Sequence, residues 1–289
     1  MKYITLADLG HTIRKNLHKI PHDLDFVVGI PRSGMIAASI ISEFLNLPLI
    51  DLDSFVFGAS PTGGRRVRYH SDSGRSVKRV LVVDDTMYGG NANRAARAKL
   101  APMDGKYEFI YLVVYQEGRC NDFDIALEDV RDGTEGFTQF VLYEWNILQH
   151  HESVMGRFLF DMDGVLCLDP PDERDGEAYR RYITNAPPLF LPKATVGEIV
   201  TYRLASNRGV TVDWLARHGV RYNALTMFPA STWEERNASG ISPSCFKSEI
   251  YGQRPHARLF IESDDGQASE IHRLTGRPVY CVESNTMYD

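Results

Sequence analysis

Val80-Leu-Val-Val-Asp-Asp-Thr-Met-Tyr-Gly-Gly-Asn-Ala92 begins as four branched apolar residues, meets two adjacent carboxylates and passes through two glycines into an alanine-rich stretch, residues 91–100. An uninterrupted apolar run is a strand buried on both faces, and the loop over residues 84–90 leads from it into a helix. Phe109-Ile-Tyr-Leu-Val-Val114 supplies the next strand. Upstream, Phe26-Val-Val-Gly-Ile30, then Pro-Arg-Ser-Gly, then an Ala/Ile-rich segment at 35–45 read as strand, tight loop and buried helix. Strands alternating with helices predict a parallel α/β sheet with its ligand at the carboxyl ends of the strands. The chain opens with an amphipathic helix, because Leu6, Leu9, Ile13, Leu17 and Ile20 recur at steps of three and four behind a Thr5/Asp8 capping box, and Pro21 ends it.

The texture changes near residue 150. Gln149-His-His-Glu-Ser153 is polar, and a new strand, Arg157-Phe-Leu-Phe160, runs straight into Asp161-Met-Asp-Gly164. A boundary here divides the chain into domains 1–152 and 153–289. Strand-helix alternation then resumes with Glu198-Ile-Val-Thr201, a helix over 211–218, Arg258-Leu-Phe-Ile261 and Pro278-Val-Tyr-Cys-Val282. The expected fold class is therefore α/β, with two parallel-sheet α/β domains.

Composition sets the bounds on function. The 289 residues are 43% hydrophobic and 24% charged, which excludes disorder, collagen and coiled coil. A net charge of −6 provides no general attraction to nucleic acid, so any polyanion site is local. The apolar stretch at 109–115 is far too short to span a membrane, and the amino terminus lacks a signal peptide's apolar core and cleavage site; a soluble cytoplasmic protein is expected. Cys120, Cys167, Cys245 and Cys281 are widely spaced and read as reduced structural thiols. Trp214 and Trp233 read as core residues, and His218, His256 and His272 as structural or surface residues.

Two stretches carry chemistry. After the strand at 80–83, backbone N–H groups of the glycine loop and the dipole of the following helix suit a phosphate monoester, while Asp84 and Asp85 can accept hydrogen bonds from vicinal hydroxyls. Together they describe a sugar phosphate. The pattern resembles the signature of the type I phosphoribosyltransferases, in which the acidic pair holds the ribose hydroxyls and the loop, here Tyr88, Gly89, Gly90, Asn91 and Ala92, holds the 5-phosphate. The resemblance implies phosphoribosyl pyrophosphate (PRPP) as a substrate. It also implies a pyrophosphate loop at Gly29-Ile-Pro-Arg-Ser-Gly34, with Arg32 toward the leaving group beside Ser33 and Gly34, and a basic hood over 53–79 with Arg65, Arg66, Arg68, Arg75, Lys78 and Arg79. Where the family commonly carries hydroxyl residues this chain has Gly89 and Ala92, so the phosphate relies on backbone amides, Asn91 and the Tyr88 hydroxyl.

Phe158-Leu-Phe-Asp-Met-Asp-Gly-Val-Leu166 resembles motif I of the haloacid dehalogenase (HAD)-like phosphatases. That resemblance implies a Rossmann-like domain in which Asp161 attacks phosphorus and Asp163 protonates the leaving oxygen and later activates water. It also implies Mg2+, because a carboxylate approaching a phosphate is repelled by about 4 kcal/mol per unit-charge pair. Thr201 matches motif II with Arg203 close by. Lys247 matches motif III, with Lys193 as the weaker competitor. Glu262, Asp264 and Asp265 stand at motif IV, and the register leaves open which of them joins Asp161 and Asp163 as a metal ligand.

About thirty residues, 167–196, separate motifs I and II, so the implied cap is minimal and the site is left for a bulky substrate, the first domain or another subunit to cover; an oligomer is within the expectation. The two resemblances connect chemically. Transfer of 5-phosphoribosyl from PRPP leaves a phosphate monoester, and the second half hydrolyses such esters, leaving ribofuranose on the acceptor. The favoured acceptor is a sugar hydroxyl of a surface polysaccharide, since the pairing resembles the phosphoribosyltransferase and phosphatase pairs of bacterial polysaccharide ribofuranosylation. A nucleobase stays open, with Phe55, Phe57 and Tyr115 available to stack it, and so does a PRPP-sensing module that controls the phosphatase.

Overall fold

The computed structural model describes residues 1–63, 76–131, 140–170 and 176–289. They form two compact units, Lys2–Trp145 and Asn146–Asp289, the latter together with Met1. Both are α/β units built on parallel sheets.

The strands of the first unit are β1 (Lys2–Ile4), β2 (Phe26–Gly29), β3 (Leu49–Asp51), β4 (Lys78–Met87), β5 (Tyr107–Gln116), β6 (Ile125–Asp129) and β7 (Val141–Tyr143). Its α-helices are α1 (Leu6–Lys15), α2 (Gly34–Leu45), α3 (Leu52–Val56) and α4 (Asn91–Leu100). Five strands run parallel in the order β3-β2-β4-β5-β6, and β1 pairs in parallel with β7 apart from them. Side-chain alternation divides the core between the two faces of the sheet. Val27, Leu81, Val83 and Leu112 pack with Leu9, Ile13, Ala37 and Ile41 of α1 and α2. Val28, Val80 and Val82 pack with Leu52, Phe55, Ala96 and Leu100 of α3 and α4. Each of Val80, Leu81, Val82 and Val83 is fully buried, which contributes about 1.5–3 kcal/mol per side chain and accounts for the unbroken apolar run.

Two elements depart from the sequence reading. The acidic pair lies inside β4, which continues to Met87, because the ladder with β5 runs from Lys78↔Tyr107 to Met87↔Gln116. The loop is therefore only Tyr88–Gly90. The first helix stops at Lys15, and a 3₁₀ turn over Leu17–Lys19 takes the chain to Pro21, since Asn16 closes α1 through its backbone N–H on Ile13 and Thr12. The Thr5/Asp8 capping box at its start is formed.

The second unit carries β8 (Phe158–Phe160), β9 (Val196–Leu204), β10 (Tyr222–Phe228), β11 (Leu259–Glu262), β12 (Val279–Cys281) and β13 (Thr286–Tyr288). Its helices are α5 (Glu152–Met155), α6 (Gly176–Asn185), α7 (Arg208–Arg217), α8 (Trp233–Ala238), α9 (Pro243–Gly252) and α10 (Asp265–Thr275). The order β10-β9-β8-β11-β12-β13 is parallel except for β13, which runs antiparallel on β12. Residues 146–155 pack with this unit: Gln149 Nε2 donates to the Leu191 carbonyl at 3.0 Å, and Glu152 accepts from Thr195 N at 3.2 Å. Leu159, Val200, Phe260 and Val279 of the sheet pack against Phe246 and Tyr251 of α9 and Ala268 and Ile271 of α10. Glu198 of β9 is only 4% exposed and is held by Arg254 and by Thr226 Oγ1. Among the described residues no helix is long and apolar enough to cross a membrane.

Candidate active sites

In the first unit the carboxyl ends of β2 and β4 lie side by side, and Gly29↔Val83 is their last register pair. Ile30 N donates to the Val83 carbonyl at 2.9 Å, and the chain then turns through a cis Pro31–Arg32 peptide and Ser33 into α2. Arg32 is exposed on this turn. Gly34 sits directly on the neighbouring strand, so the turn over 30–33 and the acidic pair form one edge. Beyond them, Asp84 and the segment 86–93 enclose a cavity of about 160 Å³. Gly90, at φ +71°, supplies the left-handed turn that starts α4. Tyr88 is exposed at this loop. Arg94 Nη2 donates to the Gly89 carbonyl at 2.9 Å and to Asn91 Oδ1, which holds the loop to the first turn of its own helix.

The acidic pair is buried, and no described cation forms an ion pair with it. Asp84 is pushed up to about 8, first by burial and then by the charge of Asp85. Asp85 Oδ2 accepts from Trp145 Nε1 at 2.6 Å. Glu117, just past β5, is pushed up to about 7 by burial, with a hydrogen bond from the Tyr143 hydroxyl at 2.5 Å opposing the shift and the charge of Asp85 adding to it. Arg94, Trp145, Glu117 and Tyr143 are additions that the sequence motif does not mark. Among the hood residues, Arg65, Arg66, Arg68 and Arg75 lie outside the described residues. Arg79 is bound to Asp23 and Glu108, away from the acidic pair. Phe55 and Tyr115, read as base-stacking candidates, are core residues: Phe55 packs on Phe26 and Tyr107, and the Tyr115 hydroxyl donates to Thr12 inside the unit. Phe57 is exposed.

In the second unit Asp161 follows β8, and its backbone N donates to the Ile261 carbonyl of β11 at 2.9 Å. Its Oδ1 accepts from Met162 N at 2.7 Å, and its Oδ2 receives Lys247 Nζ at 2.7 Å. Lys247 also reaches Glu262 Oε2 at 2.6 Å and Gln267 Oε1 at 2.9 Å. One ammonium thus stands between two buried carboxylates. Burial drives Asp161 well above the ordinary carboxylate range, Lys247 pulls it back, and the Glu262 charge raises it further. The two acids hold Lys247 protonated despite its burial.

Asp163 is clamped by Arg203, whose Nε lies 2.9 Å from Oδ2 and whose Nη2 bonds Oδ1. Arg203 is 2% exposed, and its backbone N donates to Thr201 Oγ1 at 3.2 Å. Both lie within β9, which runs three residues beyond the expected strand and so carries Thr201 and Arg203 inside the sheet. Gly164, at φ +73°, lets the chain pass Ser263, since a β-carbon there would lie 2.4 Å from the Ser263 side chain. Asp161, Asp163, Thr201, Arg203, Lys247 and Asp264 all line one cavity of about 920 Å³. Glu262 lies behind Lys247, fully buried. Asp264 Oδ1 caps α10 through Gln267 N at 2.7 Å, whereas Asp265 is turned to Ser284 and Tyr288. Trp233, read as core, is 40% exposed on the rim of the same cavity, because α8 presents it to the opening; Trp214 is fully buried.

Among the described residues no three His, Cys, Asp or Glu side chains converge as a ready metal cage. The carboxyl groups of Asp161, Asp163 and Asp264, which all line the cavity, are oxygen donors and so fit a hard divalent cation in kind.

No family model and no curated protein matches the chain. A purine phosphoribosyltransferase from Pyrococcus horikoshii is similar at 18% identity and a TM-score of 0.30, over 50% of this chain and 94% of that one. The Helicobacter pylori xanthine-guanine-hypoxanthine phosphoribosyltransferase matches at 15% identity and 0.34, again over 50% and 94%. A chain of the Pnkp1/Rnl/Hen1 complex matches at 11% and 0.34, over 97% of this chain and 94% of that one. At such identities and scores, function rests on this chain's own residues.

Proposed function

We propose that the chain is a bifunctional enzyme that transfers 5-phosphoribosyl from PRPP to an acceptor and then removes the 5-phosphate. The observation that carries this reading is that each unit has its own acidic constellation over its own cavity at the carboxyl end of its own parallel sheet.

In the first reaction the loop over 88–92 and its Arg94 brace hold the 5-phosphate, and Asp84 with Asp85 accept the ribose hydroxyls. Pyrophosphate leaves from the anomeric carbon toward Arg32, Ser33 and Gly34 while the acceptor oxygen or nitrogen bonds to that carbon and gives up its proton. In the second reaction the Asp161 carboxylate attacks phosphorus, the ester P–O bond breaks, and the leaving oxygen takes a proton from Asp163. Water, losing a proton to Asp163, then attacks the phosphoaspartate, releases inorganic phosphate and restores Asp161. Thr201 and Lys247 bind the phosphoryl oxygens, and Arg203 orients Asp163. Mg2+, held by Asp161, Asp163 and Asp264, would neutralise charge between nucleophile and phosphate.

The favoured acceptor is a glycan hydroxyl. The cavity around Asp161 far exceeds a phosphoryl group and supports a bulky leaving group, and the burial of Phe55 and Tyr115 removes two of the three rings available for stacking a nucleobase. The test uses Asp161→Asn protein with PRPP and Mg2+ against separate pools of nucleobases and of free or lipid-linked glycans, read by mass spectrometry. A glycan that gains phosphoribosyl, and loses only phosphate when wild-type protein is added, is the expected result. A labelled base would redirect the protein to nucleoside chemistry. PRPP bound but intact in both pools would overturn the transferase and leave a sensing module.

A further inference from the structure

Among the described residues of the second unit three basic side chains are buried, Arg203, Lys247 and Arg236, and all three line the cavity that contains Asp161. Arg203 is paired with Asp163, and Lys247 with Asp161 and Glu262. Arg236 differs. It is 8% exposed, yet no described carboxylate forms an ion pair with it. Its contacts are one hydrogen bond from Nη1 to the Tyr202 carbonyl at 3.1 Å and a stack of the guanidinium over the Tyr202 ring at 4.9 Å. Tyr202 itself is fixed by its hydroxyl on the Ile241 carbonyl.

A buried guanidinium with no counter-ion among the described residues is costly to hold, and the fold holds this one in the cavity of the reacting groups. Tyr202 stands between the motif II residues Thr201 and Arg203, so the ring that supports Arg236 belongs to the strand that supports the phosphoryl site. The charge of Arg236 is also felt at Tyr179, as are those of Asp163 and Arg203, which places the three around one space. Guanidinium offers forked donors that match phosphate and carboxylate oxygens.

We propose that Arg236 binds a second anionic group, phosphate or carboxylate, on the leaving-group side of the phosphatase substrate, so that the preferred substrate is a phosphate monoester bearing a further negative charge. This rests on the phosphatase reading and names its substrate class. Among the described buried cations of this cavity, Lys247 and Arg203 are paired with carboxylates and serve the reacting phosphoryl group, whereas Arg236 is available for substrate selection.

The test compares two substrate pairs that differ by one anion: ribose 1,5-bisphosphate against ribose 5-phosphate, and orotidine 5′-phosphate against uridine 5′-phosphate. For wild-type protein kcat/KM is expected to be at least tenfold higher for the anionic member of one pair, the phosphate pair or the carboxylate pair identifying the group recognised. In Arg236→Met the ratio falls to near one, and Arg236→Lys keeps part of it. A ratio is insensitive to the fraction of protein that is folded. Ratios near one in wild-type protein, or a preference that survives in Arg236→Met, would overturn the proposal. No phosphate release from any of these esters or from p-nitrophenyl phosphate would instead sink the phosphatase reading. In that case calorimetric affinity for the same pairs, measured on Asp161→Asn with and without Arg236→Met, still decides whether Arg236 selects the second anion.

Discussion

Gly34 lies so close to Asp84 that a β-carbon at position 34 would stand 3.0 Å from Asp84 Oδ1 and 2.8 Å from the Val83 carbonyl oxygen. The first residue of α2 and the first acid of the pair therefore share one packing contact, and the absence of a side chain at 34 is what lets the turn over 30–33 close onto the end of β4. On the proposed reading the turn takes the leaving group and the acid takes the sugar, and this contact sets the spacing between them.

Gly34→Ala should separate the two. The methyl group meets backbone atoms, which cannot rotate away, so overpacking of about 1–3 kcal/mol is expected together with displacement of Asp84. Pyrophosphate release from PRPP should fall by at least tenfold while hydrolysis of p-nitrophenyl phosphate continues at the wild-type rate. Unchanged pyrophosphate release would show that the contact has no part in the first reaction.

Lys247→Met should cost more than a typical core substitution. It leaves Asp161 and Glu262 facing each other in a buried space without the ammonium between them, and breaking such a pair typically costs about 3–5 kcal/mol. Phosphatase activity is lost with it. Adding Glu262→Gln to Lys247→Met removes one of the two stranded charges, so denaturant unfolding should show partial recovery of stability without recovery of activity. If the double variant is no more stable than the single one, charge is not what Lys247 balances.

How far these sites could be read in the sequence follows from how local their parts are. Asp161, Asp163 and Gly164 fall within four positions of chain, and Asp84 to Ala92 forms one strand end, loop and helix start, so both are visible as patterns. Lys247 and Thr201 are legible only through the order of motifs that the resemblance implies, and the structure places both at the cavity of Asp161. Arg236, Trp145 and Glu117 have no such pattern: Trp145 reaches Asp85 across 60 positions of chain, and nothing in its neighbours predicts that its ring nitrogen turns inward. The pairing of β1 with β7 was equally hidden, since three residues at each end are too few to show a period and the bond depends on a partner about 140 positions away. Strand ends are hidden for a related reason: polar Asp84 to Thr86 look like a loop, and only the ladder to β5 keeps them in the strand.

Trp145→Phe isolates that long-range contact. Phenylalanine fills most of the space but removes the N–H that donates to Asp85 Oδ2, at a cost of about 1–3 kcal/mol for a buried acceptor left unsatisfied. The first reaction should show a raised KM for PRPP with the phosphatase unaffected. Equal loss in both reactions would mean that Trp145 acts through global stability and does not position Asp85.

Glu117→Gln should change stability in a pH-dependent way. The carboxyl ordinarily titrates near 4.5 and is pushed up to about 7 in the fold, chiefly by burial. Below about pH 4.5 it is protonated in both the folded and the unfolded chain and contributes nothing. Between about 4.5 and 7 the unfolded chain gives up the proton while the folded chain keeps it, so the group increasingly destabilises the fold as pH rises. Above about 7 both states are ionised and the penalty is constant, at up to about 3 kcal/mol for a shift of this size. Glutamine carries no charge at any pH and still accepts the Tyr143 hydrogen bond through its amide oxygen. The variant should therefore match wild-type stability at pH 4 and exceed it at pH 8, with the gap opening between these limits in urea titrations. A gap that is constant with pH would mean that Glu117 titrates alike in the folded and unfolded chain and that the burial around Asp85 and Tyr143 is not dry enough to raise it.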